Sequence, residues 1–182
     1  MRTDDDDREC FTLLYRRCYA QVLGYVLRRV PRDRAPDVVA ETFTAAWREL
    51  PNLPAEPLPW LYRAAALRIS NEHRTTNRQA RLAVRLTGLA APVGPDHAVA
   101  LVESAPLREA LRQLPYTDRE ALLLVCWEDL DHASAAYVLG CSVPALKVRL
   151  HRSRKRLSRL LSHPEDTESA SNDVAPTVIG LD

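Results

Sequence analysis

The sequence predicts an all-α protein: two small helical domains joined by a flexible linker. Three observations carry this. Ala, Leu and Arg dominate the 182 residues while only five are glycine, a composition that favours helix. Apolar residues recur at helical spacing in both halves, and no segment alternates with the period of a strand. Between the halves, residues 75–95 lose the helical pattern and end in Pro92, Gly94 and Pro95, as a linker does. The expected division is a first domain over 8–78, a linker over 79–104, a second domain over 105–162 and an acidic tail over 163–182.

The first helix is expected over 8–29, with Phe11, Leu14, Tyr15, Cys18, Val22, Tyr25 and Val26 on its apolar side. Pro31 and Pro36 bracket a turn. A second helix follows over about 35–50, with Val39, Phe43, Ala46, Trp47 and Leu50 as its stripe and Asp37 in its first turn, where the dipole favours an acid. PNLPAEPLP holds four prolines in nine residues and reads as a stiff loop. A third helix is expected over about 58–74. In the second half, Leu107, Leu111 and Leu114 precede Pro115, and Thr117 with Glu120 three residues on reads as a capping box. DHASAAYVLG reads as a short helix ended by Gly140. Ser142 caps the last helix, with Pro144 in its first turn.

The net charge of +1 hides segregation. Five acids lie in the first nine residues and five more in 165–182, with the Lys and Arg between these ends, where they act as a local field. No run reaches the roughly 18–20 apolar residues of a membrane span, and MRTDDDD lacks a signal peptide's basic and apolar regions. A cytoplasmic location is expected. Cys10, Cys18, Cys126 and Cys141 form no CxxC and read as reduced thiols packed in helices. No metal, cofactor or catalytic residue is expected.

CSVPALKVRLHRSRKRLSRLL concentrates the charge: seven Lys and Arg with no acid. Leu146, Leu150, Leu157 and Leu160 fall on one helical face, with Ser153 in the gap. Lys147, His151 and Arg154 share another, with Val148, Arg152, Lys155 and Arg159 alongside. A short helix over 132–139, a turn at Gly140 and this basic helix have the form of a helix-turn-helix, whose second helix enters the major groove. Arg and Lys can bond guanine edges there, while other cations neutralise phosphates. A solvated surface helix is the competing reading. The helix in the first half, WLYRAAALRISNEHR, interleaves Trp60 and Tyr62 with Arg63, Arg68, Asn71, His73 and Arg74. Residues 11–91 carry 13 Arg against 6 acids. Aromatics that stack on bases beside Arg that holds the backbone suit single strands. The competing reading buries Trp60 and Leu67 and gives the Arg to water.

Taken in order, DVVAETFTAAW, WLYRAAALRISNEHR, Leu114-Pro115 with Arg119-Glu120, Leu139-Gly140 and SVPALKVRLHRSRKRL resemble the extracytoplasmic-function (group IV) sigma factors of bacterial RNA polymerase. The similarity spans roughly residues 8–161. It implies a sigma region 2 that docks on core polymerase at the β′ clamp helices through Asp37, Glu41, Phe43 and Trp47. It implies that Asn52, Trp60, Arg63, Arg68, Asn71, His73 and Arg74 open and read the single-stranded −10 element. It also implies a region 4, beside the β flap, that reads the duplex −35 element with Ser142, Lys147, Val148, Arg149, His151, Arg152 and Lys155. An anti-sigma partner, a monomeric free state and no enzymatic activity are family expectations.

The sequence departs from the family pattern at Ala40, usually Gln, at Ser134, usually Glu, at Leu67, often Asn, and at Val148, often Ser. Three alternatives stay open. One is a helix-turn-helix regulator acting without polymerase. Another is a degenerate homologue serving as a protein-binding module. The last is a metal or thiol enzyme built on Cys126, His132 and Cys141.

Overall fold

The computed structural model describes residues 4–70 and 102–162, and these are all-α, with no strand among them. The first half holds α1 (Asp4–Leu27), α2 (Ala35–Arg48), a 3-10 turn (Leu50–Asn52) and α3 (58–70). The second half holds α4 (Ala105–Arg112), α5 (Tyr116–Cys126), α6 (His132–Leu139) and α7 (Val143–Ser162). The acidic tail and the linker up to residue 101 lie outside the described residues.

α1 begins four residues before the expected start. Asp4, Asp5, Asp6 and Asp7 make its first turn, where carboxylates offset the positive end of the helix dipole, and Arg8 pairs with Asp4 at 3.1 Å. The acidic run is a helix start and not a tail. Leu14, Cys18, Val22, Tyr25 and Val26 form its buried stripe, spaced as an amphipathic helix requires. They meet Val38, Val39, Phe43 and Ala46 of α2 and Leu61, Tyr62, Ala65 and Ile69 of α3 in one core. The Tyr25 and Tyr62 rings stack with centroids 4.6 Å apart, and burial pushes the Tyr62 hydroxyl up to about 12. Thr42 is fully buried in this core because its hydroxyl donates to the Val38 carbonyl at 2.7 Å, which satisfies it locally. α3 leaves Leu67 56 % exposed, so its apolar face does not run through Leu67.

In the second half α7 packs against α4, α5 and α6. Leu146 and Leu150 are buried, Leu157 and Leu160 partly so, as the leucine spacing predicts. Ser153 fills the gap and donates to the Arg149 carbonyl at 2.8 Å. Val102 is buried in the same core and accepts from Arg108 at 3.1 Å, so the folded unit starts before the expected boundary at 104. Ser104 caps α4 by accepting from the Leu107 N–H. The far end of α4 is closed by Arg119, which donates to the carbonyls of Leu111 at 3.2 Å and Leu114 at 3.4 Å. Helix ends need such partners for their orphan carbonyls.

The expected capping box at Thr117 does not form. α5 starts at Tyr116 after Pro115, with no side-chain cap. Thr117 is already inside the first turn, and the buried Glu120 carboxylate accepts from Arg29 of the first half at 2.9 Å instead. The cysteines are free, but only Cys18 is buried, while Cys10 and Cys126 are exposed. The packed-thiol expectation therefore holds for Cys18 and in part for Cys141, which packs half-buried against the core.

Gly140 ends α6 with φ 65 and ψ 37, and the Cys141 N–H returns to the Ala136 carbonyl at 3.0 Å, so the turn needs the left-handed region that glycine enters freely. A Cβ there would also meet Arg63 Nη1 at 3.3 Å. Gly140→Ala is expected to cost about 1–2 kcal/mol, read as a lower urea midpoint with an unchanged slope.

Candidate nucleic-acid interface

The helix-turn-helix is built from local signals. Asp131 is the N-cap of α6, and one carboxylate oxygen accepts from the N–H of Ala133 at 2.7 Å and of Ser134 at 2.8 Å. The other accepts from the Ser134 hydroxyl at 3.2 Å. The Ser134 N–H above all, with the Ala133 N–H, the Ser134 hydroxyl and His132, holds the Asp131 carboxyl below the usual range against the opposing effect of burial. Ser134 thus completes a cap. The sequence signal was an Asp just before an apolar run, and it was not used. After Gly140 turns the chain, Ser142 accepts from the Ala145 N–H at 3.3 Å and starts α7, with Pro144 in the first turn, where no N–H is needed.

α7 presents Lys147, Val148, His151, Arg152 and Lys155 to solvent. None of their side chains bonds or pairs with another described residue. Val148 is 50 % exposed, an apolar surface between cations. Arg154, Arg156 and Arg159 are exposed further along. Two expected members of the set stand apart. Ser142 uses its hydroxyl on the cap. Arg149 is turned inward, its Nε 3.9 Å from Asp118 of α5. The geometry brings the remaining five together on one unpaired, basic surface.

The set expected in the first half is less gathered. Asn52 is exposed on the 3-10 turn, its amide 3.4 Å from Glu49. Trp60 is half-buried at the start of α3. Arg63 is already engaged across the molecule: it donates to the Tyr137 carbonyl, and its guanidinium lies 5.0 Å from the centre of the Tyr137 ring. Arg68 donates to the Ala64 carbonyl at 2.8 Å, and its Nε sits 3.4 Å from Glu41 without hydrogen-bond alignment. Asn71, His73 and Arg74 lie outside the described residues.

On α2, Asp37 and Glu41 are exposed along one face. Trp47 is 39 % exposed, its ring edge-on to Phe11 at 5.2 Å. Phe43 corrects an expectation. It is 3 % exposed, covered by Tyr15 at 4.7 Å, so it supports the surface from below and cannot itself touch a partner. The exposed neighbours are Leu13, which the sequence reading passed over, and Tyr15, which it placed on the apolar side of the first helix. The signal for Tyr15 was the i, i+4 aromatic ladder of Phe11, Tyr15 and Tyr19. Cys126, His132 and Cys141 do not gather into a metal-holding group, and the described residues contain no such group.

Comparison with known proteins agrees with this layout. The family description "Sigma-70 region 2" matches residues 14–79, and "Sigma-70, region 4" matches residues 104–157. The chain is 30 % identical over 174 residues to the RNA polymerase sigma factor NccH of Alcaligenes xylosoxydans xylosoxydans, covering 88 % of this chain and 91 % of that one. It is 31 % identical over 150 residues to the ECF RNA polymerase sigma factor EcfG of Rhodopseudomonas palustris, covering 81 % and 82 %. Among solved structures, it is similar to CnrH in complex with the cytosolic domain of CnrY. The TM-score is 0.58 at 28 % identity, covering 85 % of this chain and 89 % of that chain. The fold also matches the sigma factor RpoE of Bartonella quintana bound to the anti-sigma factor NepR. There the TM-score is 0.62 at 20 % identity, covering 84 % and 96 %.

Two predictions separate the exposed cations from the supports. Lys147→Ala and Arg152→Ala should leave stability within about 0.5 kcal/mol of the parent, whereas Arg119→Ala, which removes the buried side-chain donor to the Leu114 and Leu111 carbonyls, should cost about 1–3 kcal/mol; urea denaturation measures both. The Asp131 cap has a pH signature. Its folded pKa is depressed, so its charge contributes stability above the unfolded pKa and loses it as pH falls through the folded one. Asp131→Asn should melt lower than the parent at neutral pH, and the gap should close in acid.

Proposed function

The chain belongs to the sigma-70 family, in its extracytoplasmic-function group, and is an alternative RNA polymerase sigma factor; from that premise we propose how its parts divide the work. The first domain, residues 8–78, binds core polymerase and acts on the −10 element. The second, from Val102 to Ser162, reads the −35 element, with the segment up to 101 as the linker and 163–182 as an acidic tail. The observation that carries the reading is the basic face of α7. Seven cations share one helix with no acid, and six of the seven, with Val148 and His151, lie outward behind a capped scaffold helix and a glycine turn.

In a major groove the N-terminal half of α7 supplies the base contacts. Lys147 and Arg152 can donate to guanine O6 and N7, and Val148 can pack on a thymine methyl. His151 lies between them. Lys155, Arg154, Arg156 and Arg159 fall further along the helix and suit phosphates, which add affinity without sequence information. Arg149 orients α7 against Asp118 and is removed from the reading set. On the first domain, the exposed Asp37, Glu41 and Trp47 with Tyr15 form the surface offered to the polymerase β′ clamp helices, and Phe43 braces it. Trp60 and Asn52 remain for the −10 strand, with Arg63 once it is released.

The work is binding and positioning, not catalysis, and needs no cofactor. Its place is the cytoplasm, with core polymerase and promoter DNA. No described helix is long and apolar enough to cross a membrane. The Bartonella quintana relative is held by an anti-sigma factor, and a partner of that kind is extended to this chain.

The test is co-purification with core polymerase together with promoter-specific transcription in vitro. Specific duplex binding with no polymerase affinity would overturn the reading. Within it, Arg152→Ala or Lys147→Ala should lower −35-dependent transcription by roughly 5- to 150-fold, the equivalent of about 1–3 kcal/mol per base contact, while polymerase binding persists. Lys155→Ala should weaken binding evenly across sequences and lower the salt slope by about one.

A further inference from the structure

The chain beyond Ser162 is uneven in composition. Residues 163–173, HPEDTESASND, hold four acids and a single aliphatic residue, Ala170. Residues 174–181, VAPTVIGL, hold no charge, and five of the eight are Val, Ala, Ile or Leu. A segment that only keeps a chain in water is poor in aliphatic and β-branched residues. Val178, Ile179 and Leu181 are out of place there unless something buries them.

The second domain has an apolar groove near the end of α7. Between α4, α5 and α7 lies a cleft of about 510 Å³, lined by Leu107, Leu111, Leu122, Leu123, Trp127 and Leu157. Among the described residues its one charged lining residue is Glu103, and the Ser104 hydroxyl at its edge is already used to cap α4. The volume falls in the range of clefts that hold ligands, about 300–1,000 Å³. Leu107 and Leu157 are half-buried and Trp127 is 40 % exposed, so the apolar lining reaches solvent. An open apolar cleft rimmed by polar residues marks a binding surface.

Reach and charge connect the two. Leu157 lines the groove, and α7 ends at Ser162, about 7.5 Å further along the helix axis. Residues 163–173 span at most about 36–40 Å, which is ample for the chain to turn back. Its path passes Arg156 and Arg159, exposed cations on a helix without an acid, and Glu165, Asp166 and Glu168 are attracted to them. A tether of this length holds the segment at a local concentration on the order of millimolar, enough to fill a groove of modest affinity. We propose that residues 174–181 dock in the groove between α4, α5 and α7 of their own chain. Pro176 and Gly180 disfavour a helix, and in an extended segment Ile179 and Leu181 fall on one side, as the two anchors. The groove lies on the buried side of α7, so docking leaves Lys147, Val148, His151 and Arg152 open while it closes the groove to apolar segments of other proteins. The proposal stands on the groove and the sequence, independently of the promoter reading.

Cys126 supplies the test, since its thiol lines the groove and is exposed. Its rate of alkylation by iodoacetamide is followed by peptide mass spectrometry, with the exposed Cys10 of α1 as the internal reference and circular dichroism as the check on folding. Three chains are compared: the full chain, one ending at Pro164, and full-length Ile179→Asp. In both altered chains Cys126 should react at least about fivefold faster than in the full chain, as a groove mostly filled through its tether requires, while Cys10 keeps its rate. The peptide VAPTVIGLD added at millimolar concentration should restore protection to the shortened chain. Equal Cys126 rates in the full and shortened chains would overturn the docking, because another segment or none then covers the groove. Protection that rises with protein concentration would also overturn it, in favour of a second copy. If the shortened chain loses helicity, Ile179→Asp decides alone, since it alters no residue of the described fold. Failure to bind core polymerase would bear on the sigma reading and leave these rates unchanged.

Discussion

Leu146, Leu150 and Ser153 seat α7 on the rest of the second domain, and the basic helix depends on that seam. Along its exposed side Arg152 precedes Arg156 by four residues, and Lys155 precedes Arg159. Like charges at that spacing repel by about 0.2–0.5 kcal/mol per pair, and no acid on the helix offsets them. Burying two leucines returns about 1.5–3 kcal/mol each. The seam therefore outweighs the repulsion and leaves the cations unpaired, which a solvated surface helix of ordinary composition would not do. Ser153 is part of the same solution, since its hydroxyl is satisfied by the helix itself and its small size fits the gap between Leu150 and Leu157.

Charge alone does not sort the functions of these cations. Arg149 and Arg152 are three residues apart, yet Arg149 turns toward Asp118 while Arg152 has no partner among the described residues. The same split runs through the first domain, where Arg63 and Arg68 are tied to carbonyls. An Arg that already closes a hydrogen bond is a brace until that bond is given up. Arg63 is the informative case, because the bond it holds crosses between the domains.

What was legible in the sequence was local. Helical spacing gave the buried stripes of α1, α2 and α7, Gly140 gave the turn, and Ser142 gave the start of the reading helix. These follow from the chemistry of a few neighbouring residues. The misses share a cause as well. Phe43 belonged to the apolar stripe of α2, and the polymerase contact that the resemblance implied for it fails because its cover, Tyr15, is on another helix. Thr117 and Glu120 matched a capping box, but Glu120 is claimed by an Arg 91 residues away. Glu128 pairs with Arg28 at a separation of 100. Periodicity reports which side of a helix is buried and says nothing of what buries it. Asp4 to Asp7 lay outside the expected first helix because a charge run has no apolar stripe, although the helix dipole accounts for their place in it.

The resemblance singled out Arg119 and Glu120, and the structure gives that pair a use that spacing could not reveal. Consecutive residues on a helix are about 100° apart, at roughly 3.6 per turn, so Asp118, Arg119 and Glu120 point in three directions. Asp118 holds Arg149 of α7, Arg119 closes the end of α4, and Glu120 reaches Arg29 of α1. The first turn of α5 is therefore the junction between the reading helix, its own scaffold and the other domain. Two of these ties lie within the second domain, and the third crosses to the first. The seat of α7 therefore does not depend on the tie to the other domain.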